Sequence, residues 1–300
     1  MLKIAYSPLY SHPLPSGHRF PMEKYELLPE QLLYEGTVSM ENFFEPGLLD
    51  EKWIVNTHEP TYFNKLTSQT LSKSEIRKTG FPLSEALVQR EIHIMHGSVQ
   101  AALFALEFGI AMNIAGGTHH AFTDRGEGFC LLNDIAIAAN YLLENRLSKK
   151  VLVVDLDVHQ GNGTAEIFKN NDDVFTFSMH GASNYPMNKE KSDLDIALPD
   201  KIGDSDYLRL LVDNLYPLLD NLQPDFIVFQ CGVDVLETDK LGRLGLSVLG
   251  CKERDRIVIE LAKRNNIPIM CCMGGGYSPK ISDIIEAHAN TYRIAQEVYF

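Results

Sequence analysis

Six short apolar runs recur along the chain, at Leu2–Tyr6, Ala111–Ala115, Val151–Val154, Val174–Phe177, Phe226–Phe229 and Ile267–Met273. They are short and lack polar alternation, which predicts strands buried on both faces, as in parallel sheets. Between them the pattern changes to helical periodicity. Ile92, Met95, Val99, Leu103 and Leu106 recur at three- and four-residue steps within Arg90–Phe108, and Tyr207, Leu211, Leu215 and Leu218 do so within Asp206–Asn221. Ile281, Ile284, Ile285, Tyr292 and Ala295 mark a C-terminal helix, and Asn133–Asn145 and Glu253–Asn265 supply two more. Alternating strands and helices predict an α/β fold with an open, mostly parallel sheet and helices on both faces. The stretch Tyr10–Lys78 is weakly periodic and rich in turn residues, so it reads as long loops and short helices. No repeat, low-complexity tract or Gly/Ser linker divides the chain, which predicts a single domain over residues 1–300.

Polar residues cluster just after four of the runs: Gly116-Gly117-Thr118-His119-His120, Asp155-Leu156-Asp157-Val158-His159, Gln230-Cys231-Gly232-Val233-Asp234 and Gly274-Gly275-Gly276-Tyr277. Ligands of open α/β sheets bind at the carboxyl ends of the strands, so the four clusters predict one convergent site. Asp155, Asp157 and His159 alternate with apolar residues and share a face if the chain stays extended. Two carboxylates and an imidazole on a buried strand end call for a cation, whereas a solvated strand end or a helix cap explains them without one. With Asp234 as a third ligand, the set leaves an open coordination position, as catalytic zinc requires; iron(II) also accepts such ligands. A histidine at His119-His120 can serve as general base and acid, and the Tyr277 hydroxyl can donate to a developing oxyanion. Taken singly, the His pair is often structural and Tyr277 can be a packed tyrosine. Gly161-Asn162-Gly163 suggests a nucleotide turn, but Glu166 replaces the third glycine and the neighbouring aspartates repel a pyrophosphate. His288 reads as a packed histidine, and His93 and His96 lack a partner pattern.

Acidic residues outnumber basic ones, 40 to 27, for a net charge of −13, which argues against a nucleic-acid partner. The five cysteines have no metal-binding spacing, and the adjacent Cys271 and Cys272 read as buried thiols, in keeping with a reducing, cytoplasmic location (cytosol or nucleus in a eukaryote). Neither a signal peptide nor a membrane span is expected.

The motifs together resemble the histone deacetylase family: GGTHHA (Gly116–Ala121), GEGFCLLND (Gly126–Asp134), DLDVHQGNGT (Asp155–Thr164), GVDVLETDKLGRLGLS (Gly232–Ser247) and GGGY (Gly274–Tyr277). The stretches TGFPLS, GTHHAFTDRGEGFC and LLNDIA look most like its class IV branch and bacterial relatives. The resemblance implies an arginase/deacetylase fold with one catalytic zinc held by Asp157, His159 and Asp234. It makes His120 the general base and acid, with His119 beside it bonded to Asp155, and Tyr277 the residue that polarises the scissile carbonyl. Phe129 and Tyr185, with Gly128 and Gly275, would line the acyl-lysine tunnel. Ser178, Asp155 and Met179, with the backbone of Asp157 and His159, resemble a structural potassium site. Arg19 is expected either at the inner end of the tunnel or at the surface. Many members carry aspartate behind the general-base histidine, and this chain has Asn162 there, which puts the pH optimum in question. Two-metal arginase-like chemistry would want an acidic ligand two residues after His159, where Gly161 stands.

The implied reaction is removal of acetyl or longer acyl groups from protein lysines. Deacetylation of small acylated amines such as acetylpolyamines, and a non-catalytic acyl-lysine reader, are the alternatives. Oligomeric state is not legible.

Overall fold

The computed structural model describes residues 1–300. Eight strands form one sheet: β1 (Lys3–Ala5), β2 (Phe43–Phe44), β3 (Ile110–Asn113), β4 (Val151–Asp155), β5 (Val174–Gly181), β6 (Leu194–Leu198), β7 (Phe226–Gln230) and β8 (Ile269–Cys272). Their order is β2-β1-β3-β8-β7-β4-β5-β6, and every pairing is parallel. All residues of β3, β4, β7 and β8 are buried, so both faces of the sheet's centre are covered. This matches the expectation from their continuous apolar sequence.

Ten helices surround the sheet: α1 (Lys24–Tyr34), α2 (Glu51–Val55), α3 (Pro60–Thr67), α4 (Lys73–Thr79), α5 (Glu85–Phe108), α6 (Asp134–Glu144), α7 (Asn162–Phe168), α8 (Asp204–Leu222), α9 (Val248–Arg264) and α10 (Ile281–Tyr299). One group packs α5 on α6 and α6 on α7; another runs from α1 through α10 and α9 to α8. The five helices expected from periodicity all form, and α5 begins earlier than expected, where the Ser84 side chain accepts from Leu87 N. Serine in that position satisfies an otherwise unpaired amide of the first turn. The stretch before α5 holds the short helices α1 to α4, in line with its turn-rich sequence.

The edge strands β2 and β6 have no counterpart among the apolar runs. β2 is two residues long, and β6 is mostly half-buried and carries Asp195. An edge strand needs only one apolar side and one hydrogen-bonded neighbour, so its sequence signal is weak.

The site is placed by register. Asn113 pairs with Cys272, Cys272 with Gln230, and Gln230 with Asp155. The carboxyl ends of β3, β8, β7 and β4 are therefore level, and these are four consecutive strands in the sheet's middle. The loops that follow all open at one edge.

Candidate metal centre and channel

β4 ends at Asp155, and Leu156–His159 turns instead of continuing as a strand. Strict alternation on an extended chain is thus not what brings Asp155, Asp157 and His159 together; a bent loop is. Each carboxylate helps build that bend, since Asp155 Oδ1 accepts from Asp157 N (3.2 Å) and Asp157 Oδ1 from His159 N (3.0 Å). Asp234, from the loop after β7, accepts from Val158 N through Oδ1 (2.9 Å).

Asp157, His159 and Asp234 form the buried cluster of metal-ligating type, with one ligand atom from each lying within 4.8 Å of the others. His159 Nδ1 stands 3.0 Å from Asp157 Oδ1 and 3.1 Å from Asp234 Oδ2. Asp157 Oδ2 is engaged by Gln230 Nε2 (3.2 Å) and Gly275 N (3.1 Å). Asp234 Oδ2 is fully buried and has no hydrogen-bond partner. Burial and the neighbouring Asp157 carboxylate push Asp234 up to about 7. An orphaned carboxylate oxygen facing a second carboxylate and a ring nitrogen suits a cation and is unfavourable without one. These residues therefore fit a divalent metal with two oxygen donors and one nitrogen donor.

The histidine pair lies beside the cluster. His119 Nδ1 lies 2.7 Å from Asp155 Oδ2. Burial opposes its protonation, but the Asp155 and Asp157 carboxylates raise it to about 9. His120 Nδ1 lies 2.6 Å from Asn162 Oδ1, at the start of α7. The amide oxygen accepts only from Nδ1–H, so Nε2 is left as the proton-accepting nitrogen. Burial and the neighbouring His119 and His159 hold His120 well below the ordinary histidine value.

Tyr277 closes the opposite wall, with its backbone N–H donated to Asp239 Oδ2 at 2.6 Å. Burial, with the Asp234 and Asp157 charges, pushes its phenol well above 10, so it remains a neutral donor. A channel of about 240 Å³ leads in past Phe129, Tyr185, His120, Gly128 and Tyr277. The Tyr185 ring lies 5.0 Å from that of His120, and its hydroxyl donates to Glu127 Oε2 at 2.7 Å. A β-carbon on Gly275 would land on Asp234 Oδ2 and stand 2.9 Å from Asp157 Oδ2, so only glycine allows this backbone past the cluster. A β-carbon on Gly161 would likewise meet Asp155 Oδ2, leaving no room for the carboxylate that a bridging second-metal ligand would require.

Of the two placements expected for Arg19, the structure shows the surface one. Arg19 is exposed at the channel mouth, its guanidinium 5.0 Å from the Phe129 ring centre, and not at the inner end. A cavity of about 40 Å³ at the cluster is lined by Asp157, His159, His120 and Tyr277 together with Tyr25, Ile94 and Arg90, the arginine that is buried. Arg90 pairs with Glu91 and donates from Nε to Tyr10 O (2.6 Å), leaving Nη2 without a partner. A charged pair inside the apolar pattern of α5 was its only sequence signal. Gln230 and Asp239 lie within segments the sequence already marks, whereas Arg254 carries no sequence signal of its own. Arg254 is wholly buried on α9 and donates to Leu156 O (3.1 Å), Gly232 O (2.6 Å) and Cys231 O (3.1 Å), tying the loops after β4 and β7 together. Ser178 pairs across the sheet with Asp155, Met179 follows it, and Ser178 Oγ contacts His180 Nδ1 at 2.9 Å. His288 is buried, its Nε2 facing Gly276 of the glycine run without a hydrogen-bond partner, and all five cysteines are buried and unpaired.

The histone deacetylase domain model matches residues 18–292. The chain belongs to the histone deacetylase family. Among its relatives in that family, an uncharacterized protein of Picosynechococcus sp. is 42% identical over 99% of both chains. Histone deacetylase 2 of Arabidopsis thaliana is 29% identical over 89% of this chain and 72% of its own. An HDAC homolog solved in complex with SAHA superposes with a TM-score of 0.85 at 24% identity, covering 99% of this chain and 84% of that one. An HDAC homolog from Aquifex aeolicus gives 0.84 at 24%, covering 98% and 84%. At these identities the two structures establish the shared α/β fold. No helix of this family member is long and apolar enough to cross a membrane.

Proposed function

We propose that the protein is a zinc-dependent hydrolase that removes acyl groups from the ε-amino group of protein lysines. The observation that carries this is the meeting, at one channel, of the Asp157–His159–Asp234 cluster, the His120–Asn162 pair and Tyr277. Zinc on these ligands supplies Lewis acidity toward the acyl carbonyl and the attacking water. His120 Nε2, kept free by the bond from Nδ1–H to Asn162, takes the water's proton. Tyr277 donates its hydroxyl hydrogen to the oxyanion of the tetrahedral adduct, and His120 returns its proton to the departing lysine amine. His119, bonded to Asp155, adds positive charge beside that oxyanion. Phe129, Tyr185 and Gly128 wall the lysine stem.

Lysine in a protein is favoured over small polyamines because Arg19 and Lys78, both exposed and without an ion-pair partner, stand at the mouth and repel a polycation. The small cavity at the cluster, with buried Arg90 in its lining, favours acetyl over long acyl chains, although the motif likeness to class IV keeps fatty acyl groups in the test. Asp155, Ser178 and Met179 are proposed to hold a structural potassium, supported by the pairing of Asp155 and Ser178 in adjacent strands. The five buried thiols accord with a reducing, cytoplasmic setting.

A panel of acylated lysine peptides and acetylpolyamines, assayed with and without a chelator, tests the proposal. Chelator-sensitive turnover of acetyl-lysine peptides is expected. Binding of acyl-lysine without turnover by the zinc-loaded protein would make it a reader instead.

A further inference from the structure

Three lysine or arginine side chains are buried: Lys24, Arg90 and Arg254. Arg90 pairs with Glu91 and Arg254 with Asp255, whereas Lys24 forms no ion pair. It is the first residue of α1 and is completely shielded from solvent. Its Nζ donates to Gly274 O at 2.8 Å, across 250 residues of sequence. The rings of Phe20, Tyr25 and Tyr277 surround it, with centres 5.3, 5.5 and 5.8 Å away. Burial of an amine with no carboxylate within ion-pair distance is unfavourable, and a methionine would fill such a space without that penalty. Burial draws its ammonium down to about 8, against the pull of Asp234 and Asp157, and either protonation state keeps an N–H for Gly274.

The position of that bond explains its presence. The run Gly274-Gly275-Gly276 has no side chains with which to anchor itself. Its far end is fixed by Tyr277 N–H on Asp239 (2.6 Å), and its middle by Gly275 N–H on Asp157 (3.1 Å) and by Val233 N–H on Gly275 O (2.8 Å). At its near end, Gly274 N–H meets Gly116 O at the longer distance of 3.3 Å, and the Gly274 carbonyl is held by Lys24.

We propose that Lys24 is a positioning residue: by clamping the Gly274 carbonyl and packing on the Tyr277 ring, it holds the glycine loop so that the Tyr277 hydroxyl faces the substrate carbonyl. The link to turnover rests on the deacylase reading above; the clamp itself does not. The test compares the full-length zinc-loaded protein with Lys24→Met, Lys24→Arg, Tyr277→Phe and the Lys24→Met/Tyr277→Phe double variant. Lys24→Met should lower kcat by roughly ten- to a hundredfold, as a small misplacement of a reacting group does, with KM nearly unchanged and zinc retained. Lys24→Arg, which keeps a donor, should recover part of the loss. In the Tyr277→Phe background Lys24→Met should cost little more, because the group it positions is gone. Hydrogen exchange of the Gly274–Tyr277 segment should quicken in Lys24→Met while the rest of the sheet is unchanged. Equal losses in both backgrounds together with unchanged exchange would overturn the proposal and leave Lys24 a packing residue. Absence of deacylase activity in the wild-type protein would defeat the functional reading alone, and the exchange measurement would still decide the clamp. Should Lys24→Met not fold, Lys24→Gln, with its shorter reach, carries the same comparison.

Discussion

At His120 the difference between an amide and a carboxylate sets a proton affinity. Asn162 accepts the Nδ1–H but adds no charge, while burial and the neighbouring His119 and His159 lower the ring's pKa well below 6.5. The base form is the neutral ring, so activity is lost as pH falls through that lowered pKa. In Asn162→Asp an opposite charge at hydrogen-bond distance raises the histidine pKa by about one unit or more. The acidic limb of kcat/KM against pH should therefore move to higher pH. An unmoved limb with zinc content intact would show that residue 162 does not govern the base. Tyr277→Phe removes a single hydroxyl from a side chain whose ring packs against Phe20 and Phe129. Fold and metal content should survive, and kcat should fall by about a hundredfold or more, the loss of one oxyanion donor. Near-normal turnover would make Tyr277 a packing residue.

Among the elements, the loops after β3, β4, β7 and β8 carry the chemistry, and their precision comes from backbone contacts. Gly275 passes so close to Asp234 and Asp157 that a methyl group must displace a carboxylate. Gly275→Ala should therefore bind metal at well below one equivalent. Gly203→Ala, at the start of α8 with open space around it, should bind as the wild type does. Elemental analysis of the two purified variants makes the comparison, and full occupancy in Gly275→Ala would contradict the close approach.

For the whole molecule, the metal cluster is a concentration of buried like charge. Asp157 and Asp234 face each other with almost no water, and burial and mutual repulsion raise Asp234. A cation that binds the folded chain and not the unfolded one stabilises it by mass action. Stripping the metal should lower Tm, and returning zinc should restore it in a concentration-dependent way. Asp234→Ala, which removes both a ligand and the repulsion, should show a smaller response to zinc. A Tm indifferent to metal in the wild-type protein would contradict a stoichiometric site.

Much of this was legible in one dimension. Continuous apolar runs can be satisfied only by burial on both faces, so the six inner strands and the parallel, helix-covered sheet follow from them. The residue types after Ala115, Val154, Phe229 and Met273 also announced a convergent site, because carboxylates and imidazoles at buried strand ends need a shared cation or each other. What the chain order cannot express is lateral placement. Only the register that levels Asn113, Cys272, Gln230 and Asp155 makes four loops neighbours, and only the bend after Asp155 turns Asp157 and His159 toward Asp234. Arg19 and Arg90 are equally cationic in sequence; the packing of α5 against β3 and β8 puts one inside and leaves the other at the mouth. Lys24 is part of a turn-rich stretch until α1 carries it to the Gly274 carbonyl. The sequence determined which groups had to be buried and what each can donate or accept, because solvation and hydrogen-bonding capacity belong to the residue. The tertiary structure decided which of them meet, because a hydrogen bond or a coordination shell depends on distances set by residues far apart in the chain.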